Sequence, residues 1–153
     1  KEELLVMYCK PACVALAIAL SAFAAPVFAA EFEVHMLNKG EKGTMVFEPD
    51  FIQAEVGDTI KFIPADAGHN AETIKGMFPA GFEAFKSAPN EEFSVVLTEE
   101  GVYGIRCTPH YAMGMVALIV AGEPVNAQEV QAGKHPGKAN ARFTELFETL
   151  NAL

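Results

Sequence analysis

The segment Cys107-Thr108-Pro109-His110-Tyr111-Ala112-Met113-Gly114-Met115 places a thiol, an imidazole and a thioether within nine residues. The other cysteines, Cys9 and Cys13, both lie within the first 13 positions. A solitary cysteine followed by His and then Met suits neither a disulfide nor a closed structural zinc site, which takes four strong N or S ligands. Iron–sulfur clusters want several thiolates. A thiolate, two imidazoles in a trigonal plane and a weak axial thioether form instead the ligand set of an electron-transfer copper site. Cys107, His110 and Met115 supply three of those four groups, so one more histidine must come from elsewhere in the chain.

Three histidines remain. His35 falls within an alternating stretch beside Glu31 and Glu33 and reads as a surface residue. His135 lies in Gly133-Lys134-His135-Pro136-Gly137, between two helical patterns, and reads as a solvated turn residue. His69 follows the strand pattern ending at Pro64, in Asp66-Ala67-Gly68-His69-Asn70. Gly68 there permits close backbone approach. Asn70 can tie the two ligand loops together by hydrogen bonds. His69 is therefore the expected fourth ligand. Each residue alone has a plainer explanation: a lone Cys at a strand end is more often a small buried hydrophobe, and a Met after a His is more often core. The joint spacing and context favour copper.

The elements that must hold these residues are mostly strands. Phe32, Val34 and Met36 alternate with Glu33, His35 and Leu37, which marks a strand with one buried face. Gly40-Glu41-Lys42-Gly43 is a turn, followed by strand segments over 44–47 and 51–56 and then 59–63, 92–98 and 102–107. Short strands at this spacing indicate an antiparallel sandwich or barrel. Residues 69–90, with Pro79, Gly81 and Pro89, read as mostly loop with at most a short helix. Period two in 102–107 sets Tyr103, Ile105 and Cys107 on one face and Arg106 on the other. Met115 to Val120 is apolar throughout, so both faces of that strand need cover. Phe143, Leu146, Phe147 and Leu150 recur at helical spacing and can provide it on one side. A shorter helix precedes them, with Asn126 and Glu129 spaced as a capping box and Gly133 as its stop. The predicted fold class is mainly β, a Greek-key sandwich or barrel with two C-terminal α-helices.

Residues 1–29 differ from the rest. Pro11 to Ala30 carries no charge and Lys10 precedes it, while Val27-Phe28-Ala29 has the small residues of a cleavage site. This is the layout of a secretory signal peptide ending near Ala29, with Met7 the more natural start. An uncleaved membrane anchor is the alternative, but the Ala-rich run with Pro26 argues against it. The expected organisation is a leader over 1–29 and a soluble, exported domain over 30–153. That domain keeps Cys107 as its one cysteine, although export normally invites disulfides. Eleven basic against twenty acidic residues give a net charge of -9, which weighs against nucleic-acid binding.

With these motifs in hand, the chain resembles the cupredoxins, the type 1 blue-copper proteins, and among them the pseudoazurin family. Glu33-Val34-His35-Met36-Leu37-Asn38-Lys39-Gly40 and Met45-Val46-Phe47-Glu48-Pro49 are similar to that family's opening strands. Gly57-Asp58-Thr59, Gly68-His69-Asn70 and the segment 107–115 match its ligand-loop pattern. Plastocyanins share the Cys–His–Met spacing, amicyanins have a shorter gap to Met, and the paired C-terminal helices separate this chain from both. The resemblance implies a monomeric periplasmic electron carrier, not an enzyme, with one copper cycling between Cu(II) and Cu(I). It implies transient partners: a nitrite reductase in denitrification, with a c-type cytochrome as a possible donor. It also implies docking through an apolar patch at Met45, Pro109, Tyr111 and Met113, rimmed by Lys39, Lys86 and Arg106, with Ala67 where the family often carries Lys. Met45 would pack against the His110 imidazole. A periplasmic copper chaperone or storage protein remains the alternative. A copper or zinc enzyme would need an open coordination position and a nearby acid or base, and Asp66 is the only carboxylate close to the ligands in sequence.

Overall fold

The computed structural model describes residues 28–153. The expected leader, with Cys9 and Cys13, lies outside the described residues except for its last two positions. The chain forms strands β1 (Glu31–Gly40), β2 (Gly43–Glu48), β3 (Phe51–Ala54), β4 (Thr59–Pro64), β5 (Glu72–Thr73), β6 (Phe93–Val96), β7 (Gly101–Arg106) and β8 (Val116–Ala121). Helices α1 (Ala127–Gln131) and α2 (Lys138–Asn151) follow. Two four-stranded sheets result, ordered β2-β1-β4-β6 and β3-β8-β7-β5. This is the expected mainly β sandwich with two C-terminal helices. Most neighbours are antiparallel, but β1 pairs with β4, and β3 with β8, in parallel. Neither pair is joined by a hairpin. The chain crosses between the sheets after β2 and again after β3, which lets β4 return alongside β1 in the same direction.

Period two separates two cores across β7 and β8. Tyr103, Ile105 and Cys107 join Met115, Ala117, Ile119 and Ala121 between the sheets, with Val34, Met36 and Phe62 from the opposite sheet. Val102, Val116, Leu118 and Val120 point the other way, where Val130, Ala139, Phe143, Leu146 and Leu150 cover them. The uniformly apolar β8 is thus buried on both faces, one by the opposite sheet and the other by the tail. A polar clamp also seats α2. Arg142 Nη2 donates to the Lys42 carbonyl at 2.9 Å, and its Nη1 lies 3.7 Å from Asp50, which Lys42 approaches to 2.7 Å.

The capping box expected at α1 is not formed. Asn126 occupies the N-cap position but makes no side-chain cap bond. Its Oδ1 accepts from the Val102 amide at 2.7 Å, and its Nδ2 donates to the Val102 carbonyl at 3.0 Å. Val102 is in register with Val120 of β8, but the short β5 on the other edge of β7 pairs only with Ile105 and Arg106, so the buried Val102 peptide groups that bond Asn126 find their partner at the start of α1. That demand outweighs a local cap. Asn126→Ala should therefore lower stability by about 2–3 kcal/mol, because it strands both peptide groups. Urea denaturation should show a lower midpoint at unchanged slope, and an unshifted midpoint would count against this role.

The segment between β4 and β6 contains no helix. It holds instead the two-residue β5 and a bridge from Glu72 to Lys86. No described helix is long and apolar enough to cross a membrane.

Candidate metal centre

Two connections meet at one end of the sandwich. The β7–β8 connection carries Cys107, His110 and Met115, and the β4–β5 connection carries His69. The first is closed as a hairpin by the Cys107 amide, which donates to the Met115 carbonyl at 3.0 Å. A 3-10 turn over Tyr111–Met113 then folds the loop back, ending at Gly114 with φ 95°, a conformation that suits glycine.

His69 reaches the same point through β5. Antiparallel pairing of Glu72 with Arg106 and Thr73 with Ile105 runs the two connections side by side beyond the sheet edge. Asn70 continues that pairing with its side chain. Its Oδ1 accepts from the Thr108 amide at 2.8 Å and its Nδ2 donates to the Thr108 hydroxyl at 3.0 Å. The tie expected from Asn70 is therefore present, and it spans 38 residues of sequence.

The nitrogen Nδ1 of His69 lies 3.1 Å from Nδ1 of His110, and the Cys107 sulfur lies 3.8 Å and 3.5 Å from those nitrogens. Among the described residues these three form the one group of His, Cys or carboxylate side chains placed to share a metal ion. Met115 is fully buried at the base of the loop. His69 Nε2 is 3.0 Å from the Asn38 side-chain oxygen. That oxygen can only accept, so Nε2 carries the proton and Nδ1 presents a lone pair to the cluster. The spacings match two nitrogens and a sulfur held about 2.0–2.3 Å from one common ion. The His69 lone pair, the His110 nitrogen and the Cys107 sulfur thus converge on one point, where a single cation can share them.

The electrostatics agree. Burial pushes the Cys107 thiol above its usual pKa, against the backbone N–H groups of Asn70 and His110 that favour the thiolate. Without a metal the thiol stays protonated and inert; a cation favours the deprotonated form. Burial also lowers the His69 pKa, helped by the neighbouring His110 and opposed by Asp66. Both changes leave neutral or ligand-ready groups.

The remaining expected residues divide. His35 stands apart on β1, half exposed and 3.9 Å from Glu33. Pro109 and Met113 are exposed, whereas Met45, His110 and Tyr111 are half buried, Met45 packing against the core between the sheets and Tyr111 against the core under the tail. Lys39 and Lys86 are exposed, but Lys86 lies 3.9 Å and Arg106 3.1 Å from Glu72. Glu72 also accepts from the Thr108 hydroxyl at 2.6 Å and is held below the usual carboxylate range by Arg106, Thr108 and Lys86, against its partial burial. Glu72 corrects the expectation that Asp66 is the only carboxylate near the ligands: it follows His69 by three residues, and the register of β5 against β7 sets it opposite Arg106, beside Thr108.

His135 is a correction. It is not a solvated turn residue: its ring packs on Phe143, and its Nδ1 lies 2.8 Å from the Tyr111 hydroxyl. The glycines on both sides of it signalled a turn but not where that turn would dock.

Residues 34–122 match the family model for copper binding proteins of the plastocyanin/azurin family. The pseudoazurin of Paracoccus pantotrophus is 54% identical over 138 residues, covering 90% of this chain and 95% of that protein. The pseudoazurin of Methylorubrum extorquens is 46% identical over 133 residues, covering 86% and 89%. The crystal structure of native pseudoazurin from Hyphomicrobium denitrificans aligns with a TM-score of 0.75 at 40% identity, over 78% of this chain and 97% of that one.

Proposed function

This chain belongs to the plastocyanin/azurin family and, within it, to the pseudoazurins, and on that premise we propose that His69, Cys107, His110 and Met115 hold its copper for electron delivery to a nitrite reductase in the periplasm. As a family member it is a type 1 copper electron-transfer protein and not an enzyme. The proposal adds the ligand assignment, the compartment and the partner. The convergence of His69 Nδ1, His110 Nδ1 and the Cys107 sulfur carries it.

Bound copper supplies a single-electron couple between Cu(II) and Cu(I). The protein's part is to hold the donors still. Asn38 orients the His69 ring through Nε2, and Asn70 locks Thr108 beside Cys107. The amides of Asn70 and His110 favour the thiolate charge. Buried Met115 closes the site from inside the sandwich, so water is excluded on that side. Donors fixed in this way by a packed scaffold move little when the charge changes, and hydrogen bonds near the sulfur tune the potential.

His110 is the one cluster member with solvent exposure, and exposed Pro109, Ala112 and Met113 lie around it. This small apolar surface suits the brief encounters of electron transfer. Met45 and Tyr111 extend it, and Lys39, Lys86 and Arg106 rim it. Two of those rim cations already pair with Glu72. Their field at the docking surface is therefore weak, and apolar contact carries recognition.

Stopped-flow oxidation of the reduced, copper-loaded protein by purified nitrite reductase tests the partner. We expect saturable transfer whose second-order rate changes by no more than about threefold between low and high salt, in contrast to strongly steered pairs. Transfer no faster than to an unrelated redox protein would reject the nitrite reductase assignment. A c-type cytochrome serves as the donor in the reverse assay. Loading the apo-protein with Cu(II) tests the ligand set: a colourless product would favour the copper chaperone or storage reading instead.

A further inference from the structure

His135 belongs to neither the ligand cluster nor the sandwich core, yet it touches the ligand loop. It sits on the linker between α1 and α2. Its Nδ1 lies 2.8 Å from the hydroxyl of Tyr111, the residue directly after His110. The imidazole packs on Phe143 with ring centroids 4.2 Å apart. Gly133 makes room for it, since a Cβ there would stand 3.3 Å from two ring atoms. The Arg106 guanidinium lies 5.2 Å from the centre of the Tyr111 ring, so Tyr111 is held from β7 as well.

The second ring nitrogen, Nε2, is buried and has no hydrogen-bond partner among the described residues. Whichever nitrogen carries the proton, one buried polar atom goes unpaired, and that costs free energy. A ring that only filled space would be better as a hydrocarbon. The bond to Tyr111 is what an imidazole adds at this position.

Adjacent contacts point the same way. A Cβ on Gly137 would overlap the Ala112 carbonyl oxygen, and one on Gly114 would stand 3.4 Å from the Lys138 side chain. Tyr111, Ala112 and Gly114 of the loop therefore all meet the linker or the first turn of α2.

We propose that His135 is a positioning residue for His110: by holding the Tyr111 hydroxyl from the helical tail, it fixes the turn that aims the His110 imidazole at Cys107 and His69. This rests on the assignment of His110 as a copper ligand. The tail is then part of the metal site's scaffold, and its linker sets how rigidly the solvent-facing ligand is held.

The test uses the full, copper-loaded chain with His135→Ala, His135→Gln, Tyr111→Phe and the double variant His135→Ala/Tyr111→Phe. Three quantities are read: the ratio of the main visible absorption bands, the reduction potential across pH, and the rate of Cu(I) release to a chelator. We expect His135→Ala and Tyr111→Phe to change the band ratio in the same direction and to speed copper release about fivefold, the factor one net hydrogen bond represents. The double variant should go no further than either single one, since both remove the same contact. His135→Gln, which can still reach the hydroxyl, should restore most of the native values. Lowered thermal midpoints with all three copper readouts unchanged, or fully additive effects, would overturn the proposal. Should His135→Ala fail to fold, Tyr111→Phe keeps the ring packing on Phe143 and decides the matter alone. A blue band that survives His110→Ala refutes the ligand assignment itself, whereas a native site indifferent to every His135 and Tyr111 change refutes only the positioning role.

Discussion

Cys107→Ser should abolish the intense visible absorption of the copper-loaded protein completely while leaving the sandwich folded. The absorption needs a thiolate on the metal, and no other described side chain can replace it, because Cys107 is the one free cysteine of the described chain. A serine hydroxyl is far harder to deprotonate than a thiol. The site is also too closed to admit a substitute, since Cys107 is fully buried in the row with Ile105 and Met115. The backbone N–H groups of Asn70 and His110 favour charge on the sulfur, and are the polar groups available to a hydroxyl placed there. They should offset most of the cost of burying it, leaving a stability loss of about 1–2 kcal/mol in the apo-protein. Visible and EPR spectra after Cu(II) addition, with circular dichroism for the fold, measure both effects. Retention of an intense band, or of narrow copper hyperfine splitting, would remove Cys107 from the site. Copper uptake by the native chain should also release a proton from the thiol that burial keeps protonated.

Phe143→Ala should produce the largest loss of stability, about 3–5 kcal/mol for a fully buried aromatic ring. In a domain of this size that corresponds to a fall of roughly 10–20 °C in thermal midpoint. Phe143 is fully buried in the cluster that joins α2 to the outer face of β8, and its ring packs on both Phe147 and His135. Its removal would uncover Val116, Leu118 and Val120, the side of β8 that no strand covers. Because the same ring supports His135, the variant should also release copper faster than a core variant between the sheets, such as Phe62→Ala, of similar stability. Denaturation of the apo-protein and chelator-driven copper release separate the two effects. A stability loss below about 1 kcal/mol would show the helical tail to be dispensable.

The sequence was informative wherever one physical preference acted locally. Alternation in 102–107 separated Tyr103, Ile105 and Cys107 from Arg106, and the structure places all three in the core between the sheets. The unbroken apolar run of β8 announced cover on both faces, and the spacing of Phe143, Leu146 and Leu150 announced what would cover one of them. Legibility ended where a residue had competing partners. Asn126 satisfied the local cap pattern, but the unpaired peptide of Val102, 24 residues away, claimed its side chain. His135 lay in a glycine- and proline-rich turn, and nothing local could tell that the turn would close on Tyr111.

By itself, the order of residues determined the candidate donor types, the loop that carries three of those candidates, the strand phase that buries the thiol and the helical stripe that seals β8. Each follows from spacing along a single element, where periodicity fixes direction. Only the tertiary structure decided how His69 arrives, through a two-residue strand too short to leave a pattern, and that Glu72 takes up the charge of Lys86 and Arg106. It alone placed the helical tail against the ligand loop. Those outcomes depend on register and crossing between elements far apart in sequence, and the packed core sets them because buried polar groups must find partners wherever the fold brings them.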